Sequence, residues 1–251
     1  MRTTPYNQLK KIAKGNAKEM KVSYRYVTDA LEQLYSIQYR IAAHHFAFIS
    51  NGFTSRYIYE GLAWTAYFKN MHTLYTIIEL MKKGLVGSLR ILLRYVYEFL
   101  VIGKYTVISK NHRLAEMWEA GDEVRMERDV FKKIRYPRSE SLKHLWKNLC
   151  RLAHGTIFSQ QGSLDIKDIR NELSFDFIVV AMLLEMNYHY LNTHLITSKL
   201  RYYVSYYNAE EFKKMKKQRK KAKQIMKVLR TYMKPEAKSA VYDYKRTWQV
   251  R

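Results

Sequence analysis

The sequence predicts an all-α fold, a bundle of long antiparallel helices with a basic C-terminal helix and tail. Three observations predict it. Nine Gly and three Pro in 251 residues are too few for a many-turned β fold. Long stretches run without any breaker, and apolar residues recur through them at helical spacing. A chain of this length buries one substantial core, or one core plus an appendage. Composition divides it into a bundle domain, 1–208, and a basic helix with an aromatic and basic tail, 209–251.

The elements follow in order. Residues 6–14 suggest a short basic helix. From Val22 to Ser50, Tyr26, Leu31, Leu34, Ile37 and Ile41 mark a long one. "NGFTS" breaks the chain, with Thr54 or Ser55 as N-cap, and a second long helix follows to Lys83. Gly84 ends it, and the next helix runs to Ser109. A more polar stretch carries Gly121 and Pro137 as punctuation. Ser139 or Ser141 caps "SLKHLWKNLCRLAH", which Gly155 stops, and "GTIFSQQGSLD" reads as a loop. A very long helical pattern, with room for a kink, then spans Asp168 to Asn208.

The helix ending at Ser109 poses the main question. Leu85, Leu89, Leu92, Val96 and Phe99 form its stripe, and Val86, Ile91, Leu93, Leu100 and Ile102 widen it. A helix apolar nearly all round is a buried one. Yet Arg90, Arg94 and Glu98 fall in one line opposite the stripe, at about 100° per residue. The line is either a snorkelling Arg–Glu pair or the polar wall of an interior site.

Charge is the strongest global signal. Forty-five Lys and Arg against 22 Asp and Glu give a net charge of +23. Self-repulsion on that scale points to an anionic partner, with nucleic acid first, an anionic membrane surface second and an acidic protein third. The cations concentrate in "AEEFKKMKKQRKKAKQIMKVLRTYMK", where Glu210 and Glu211 suit a helix start. Phe212, Met215, Ala222, Ile225, Met226 and Leu229 give that helix a thin apolar seam. It is a solvated helix docked by the seam, or a phosphate-tracking helix using Lys213, Lys214, Lys216, Lys217, Arg219, Lys220 and Lys221. The tail "VYDYKRTWQVR" has the composition to stack on bases or to dock. The N-terminus lacks a signal-peptide core, and the longest apolar run, Phe177 to Leu184, is too short to cross a bilayer. The single Cys150 excludes an internal disulfide. Together these suggest a cytoplasmic protein.

Enzymatic motifs are few. The eight histidines are scattered, no HExxH or CxxC occurs, and Glu185 with His189 lacks a second such pair, so no metal is expected. No phosphate loop, dinucleotide fingerprint or nucleophile elbow occurs, and no cofactor is expected. His154 stands apart at the end of "LWKNLCRLAH", with Lys147 seven residues earlier and Arg151 three. A titrating imidazole beside fixed cations is what metal-free RNA cleavage requires. A histidine there also simply caps helix carbonyls.

"GLVGSLRILLRYVYEFLVIGKY" followed by "LWKNLCRLAHGT" resembles an uncharacterised family of prokaryotic helical proteins with an Arg-x-x-x-Glu helix and a short helix ending in His-Gly. More distantly it resembles the HEPN superfamily of helical bundles, many of them ribonucleases of toxin and defence systems. The likeness covers residues 60–200. It implies a HEPN-like bundle that binds nucleic acid, RNA ahead of DNA, with homodimerisation in view. It also implies metal-independent ribonuclease activity with His154, Lys147, Asn148, Arg94 and Glu98 at the site, and with Arg90 and Arg151 on phosphate. Lys147 stands where the HEPN pattern has Arg, and Lys lacks the bidentate fork. The alternative is a non-enzymatic nucleic-acid-binding or scaffold protein whose Arg–Glu–His clasp is structural.

Overall fold

A computed structural model describes residues 5–50, 58–85, 89–135, 139–153, 170–196, 209–246 and 249–250. The fold is an all-α bundle. Its helices are α1 (Pro5–Ser23), α2 (Arg25–Ser50), α3 (Ile58–Lys82), α4 (Leu89–Ser109) and α5 (His112–Glu119). They continue with α6 (Ser139–Ala153), α7 (Arg170–Tyr190), α8 (Ala209–Tyr232) and α9 (Pro235–Lys245). Single π-helical turns occupy Met126–Val130 and Leu191–Ile196. Two residues of extended chain, Ile134–Arg135 (β1), pair antiparallel with Gln249–Val250 (β2).

Helix α4 is the central element, packed by α3, α6 and α7. Every residue from Leu100 to Thr106 is buried, as its all-round apolar character requires. Its first half is more one-sided than the sequence suggests. Leu89, Leu93, Val96 and Leu100 are buried, whereas Ile91 is 62% exposed. Leu89 and Val96 of the expected stripe are thus buried and Leu93 and Leu100 join them from its flank, whereas Leu92 and Phe99 are only half-buried.

Helix α1 is longer than the expected 6–14, and the break before α2 falls at Tyr24, inside the helix expected from Val22. Tyr24 stacks on Phe177 of α7 with ring centroids 5.2 Å apart, which ties the bend to the core. The expected caps Thr54 and Ser55, Pro137, Gly155 and the "GTIFSQQGSLD" loop lie outside the described residues. Ser141, the other cap candidate, lies inside α6 and donates from Oγ to Asp243 Oδ2 of α9 at 2.6 Å.

Gly84 does what its position predicts. With φ at +70°, it closes α3 through Gly84 N–H to Met81 O (2.8 Å) and Leu85 N–H to Leu80 O (2.9 Å). That pair of bonds is the Schellman stop, which a left-handed glycine permits. The same pair forms after α5, where Gly121 has φ +81° and Asp122 N–H reaches Met117 O at 2.8 Å.

The C-terminal segment shares the bundle's core. Helix α8 lays Met215, Ala222, Met226 and Leu229 against α2 and α7. Helix α9 inserts Ala240, Val241 and Tyr244 against α6 and α7. Gln38 is a buried polar side chain of this core that is hydrogen-bonded at both ends of its amide. Gln38 Nε2 donates to Leu184 O at 2.8 Å and its Oε1 accepts from Asn187 Nδ2 at 3.2 Å, linking α2 to α7.

Candidate nucleic-acid interface

The charged line on α4 is divided between two partners. Arg90 is buried and its Nε lies 3.5 Å from Asp176 Oδ1 on α7. The side chain expected on phosphate is therefore committed to an internal ion pair. Arg94 Nε donates to Glu98 Oε1 at 2.9 Å, one turn along the helix. The same oxygen accepts from Trp146 Nε1 of α6 at 2.8 Å. Glu98 thus joins α4 to α6, and both donors of the cluster are fixed in direction. Cys150 sits beside the pair. Burial raises its thiol pKa, Arg94 lowers it and Glu98 raises it, and the net rise leaves a protonated thiol.

Lys147 and Asn148 face elsewhere. They line a groove of about 610 Å³ between α6, α7 and α9, floored by Phe175, Ile178, Val179 and Met182. Neither Arg94 nor Glu98 lines it. Lys147 is exposed, and its charge also acts on Glu127, whose carboxyl Lys143 holds below the ordinary range through a hydrogen bond. Arg151 is exposed on the last turn of α6, and His154 lies outside the described residues. Of the five expected catalytic residues, two pairs are thus set apart, one on each side of α6.

The cations of α8 form a continuous surface. Lys213, Lys214, Lys216, Lys217, Lys220 and Lys221 are exposed; of the seam beneath them Met215, Ala222, Met226 and Leu229 are buried and Ile225 half-buried, whereas Phe212, at the helix start, is exposed. Arg219 is half-buried, with Nε and one Nη withdrawn from solvent near Tyr188. Lys214 pairs with Glu210 at 2.8 Å in an exposed i, i+4 contact, which adds little to stability. Lys217, Lys220 and Lys221 line a polar groove of about 820 Å³ against α2, which contributes Arg40.

One cluster was missed by the sequence reading except for its first two members. Glu185 of α7 is fully buried, and it accepts from Arg230 Nε of α8 at 2.9 Å and from a second Arg230 nitrogen. His189 Nε2 lies 3.3 Å away, and Lys245 of α9 also lies at 3.3 Å. Burial opposes ionisation of Glu185, but Arg230, His189 and Lys245 outweigh it and hold the pKa at about 2. Burial first, and the neighbouring cations after it, lower the His189 pKa despite Glu185. The imidazole is therefore neutral at neutral pH and presents its N–H to the carboxylate. A second buried ion, Lys104 of α4, donates to Tyr244 O and, at 3.2 Å, to Arg246 O at the end of α9. Burial brings its pKa down to about 7. Apart from Glu185–His189, one turn apart on α7, nothing in sequence spacing announces these contacts, because they join residues far apart in the chain.

Among the described residues no helix is long and apolar enough to cross a membrane. Comparison with known proteins finds no family, no curated protein and no solved structure that matches this chain.

Proposed function

We propose that this protein binds nucleic acid, RNA in preference to DNA, through the cationic face of α8. The observation that supports the reading is the division of labour on that helix. Its apolar seam satisfies the core while the cations project outward at every turn, where they add self-repulsion and no packing. A row of exposed lysines on a rigid helix matches a chain of phosphates. The preference for RNA rests on the HEPN resemblance.

The binder is favoured over the ribonuclease by the state of the α4 cluster. Glu98 is occupied by Arg94 and Trp146, so the clasp has a structural use already. The ribonuclease reading draws on Lys147 and Asn148, which border a groove on the helix that leads into His154. In that reading the His154 imidazole takes the 2′-hydroxyl proton, and the products carry a 2′,3′-cyclic phosphate.

Labelled single-stranded RNA incubated in EDTA tests both. Affinity measured over a salt series should fall steeply, by about 0.7 in log K per log salt for each phosphate contact. Neutralising Lys213, Lys214, Lys216 and Lys217 to Gln should flatten the slope; an unchanged slope would remove α8 from the interface. Intact RNA after incubation is the outcome expected of a binder. Cleavage abolished by His154→Ala with affinity retained would establish the enzyme instead, since acid–base transfer contributes about 10²–10⁴-fold.

A further inference from the structure

The groove between α2 and α8 carries more than charge. One wall holds Lys217, Lys220 and Lys221, and the other holds Arg40 with Asp29 and Glu32. Each carboxylate is already held by a cation. Arg25 Nε lies 3.6 Å from Asp29, and Lys82 Nζ lies 3.4 Å from Glu32. The groove therefore keeps an excess of positive charge for phosphate. Gln33, Gln218 and Gln224 add neutral donors and acceptors to its lining.

Beside this groove lies an aromatic patch. Tyr35 stacks on Tyr39 at 6.4 Å, with planes 18° apart, and meets Tyr75 of α3 at 6.0 Å. Tyr39 and Tyr75 are each 50% exposed, so the rings present free area to solvent. Tyr39 lies two turns beyond Glu32 on α2, about 20° away around the axis at 100° per residue. The Tyr39 side chain thus continues the acidic edge of the groove, and Lys82 reaches that edge from α3.

From these positions we propose that the α2–α8 groove is a single-strand track, in which lysines of α8 hold the phosphates and Tyr39 and Tyr75 stack unpaired bases. This rests on the nucleic-acid reading above and names the strandedness that reading leaves open. A duplex keeps its bases stacked on one another and offers these rings nothing, whereas every unpaired base has a face to give. An anionic lipid surface would engage the lysines equally, but a groove between two helices with rings along one edge suits a strand lying in it better than a flat surface.

Fluorescence anisotropy separates the cases, with a short single-stranded RNA, the same sequence as a duplex, and phosphatidylserine vesicles as ligands. Tyr39→Ala/Tyr75→Ala should weaken single-strand binding by at least about fivefold, the lower bound for one lost base stack, without changing the salt slope. Tyr39→Phe/Tyr75→Phe keeps the rings and should restore affinity, which a mere folding defect would not allow. Lys217→Gln/Lys220→Gln/Lys221→Gln should weaken every polyanion and flatten the slope. If the lysine variant loses binding while the Ala variant matches wild type, the track is overturned and the α8 reading stands. If neither variant changes affinity, both fall. Tighter binding to vesicles or duplex than to the single strand also overturns the proposal.

Discussion

Arg94, Glu98 and Trp146 show how a partly buried charge is made tolerable. An exposed i, i+4 ion pair contributes only a few tenths of a kcal/mol. Here both side chains are about three-quarters withdrawn from water, at 27% and 22% exposure, and an indole N–H completes the carboxylate's shell. Removing either charge strands the other, while removing both does not. Arg94→Met and Glu98→Gln should each cost about 1–3 kcal/mol, and the double variant less than their sum. A double-mutant cycle in urea measures the coupling, and additive costs would dissolve the pair. Trp146→Phe should cost about 1 kcal/mol more in wild type than in Glu98→Ala, which lacks the acceptor for the indole N–H.

Helices α3 and α5 stop where glycine lets the backbone turn left-handed, and the first of these stops also allows close approach. A Cβ on Gly84 would lie 2.3 Å from Asn16 Cβ and 2.8 Å from the Asn16 carbonyl carbon. Backbone cannot move aside cheaply, so α1 would have to lift from the α3 terminus. Gly84→Ala should therefore destabilise by more than the roughly 1 kcal/mol of a left-handed residue alone. Chemical denaturation reads the cost. Gly121→Ala is the control, with the same φ sign and nothing within 4 Å of its Cβ, and should lose only the conformational part. Equal costs at the two positions would mean that the α1 contact is soft.

Around Glu185 the C-terminal helices and the bundle become one cooperative body. A single carboxylate on α7 receives Arg230 from α8 and Lys245 from α9, so both helices are tied at one buried point. Its pKa of about 2 in the fold lies below the ordinary 4.5. The stabilisation is therefore complete above about pH 4.5 and is lost as pH falls towards 2. Glu185→Gln should lower the melting temperature at neutral pH and flatten the fall in stability between those limits. Thermal melts across acid pH test this, and parallel acid limbs for variant and wild type would show that Glu185 is not the group responsible.

The parts legible in the chain were those set by neighbours in sequence. Helix content, the Gly84 stop, the seam of α8 and its row of lysines follow from spacing along one helix, because amphipathicity and left-handed glycine are local properties. The charged line on α4 was visible as well, but its meaning was not. Arg90 turned to Asp176, Arg94 to Glu98, and Trp146 arrived from 48 residues away. Lys147 and Asn148 share α6 with Trp146 yet open onto another groove, since a helix packed on two sides sends adjacent residues to different neighbours. Burial of Glu185 and Lys104 could not be read from residues that elsewhere lie on surfaces. Their partners, the Arg230 guanidinium and the Tyr244 carbonyl, lie 45 and 140 positions away, and only the packed bundle brings such groups close enough to offset the cost of leaving water.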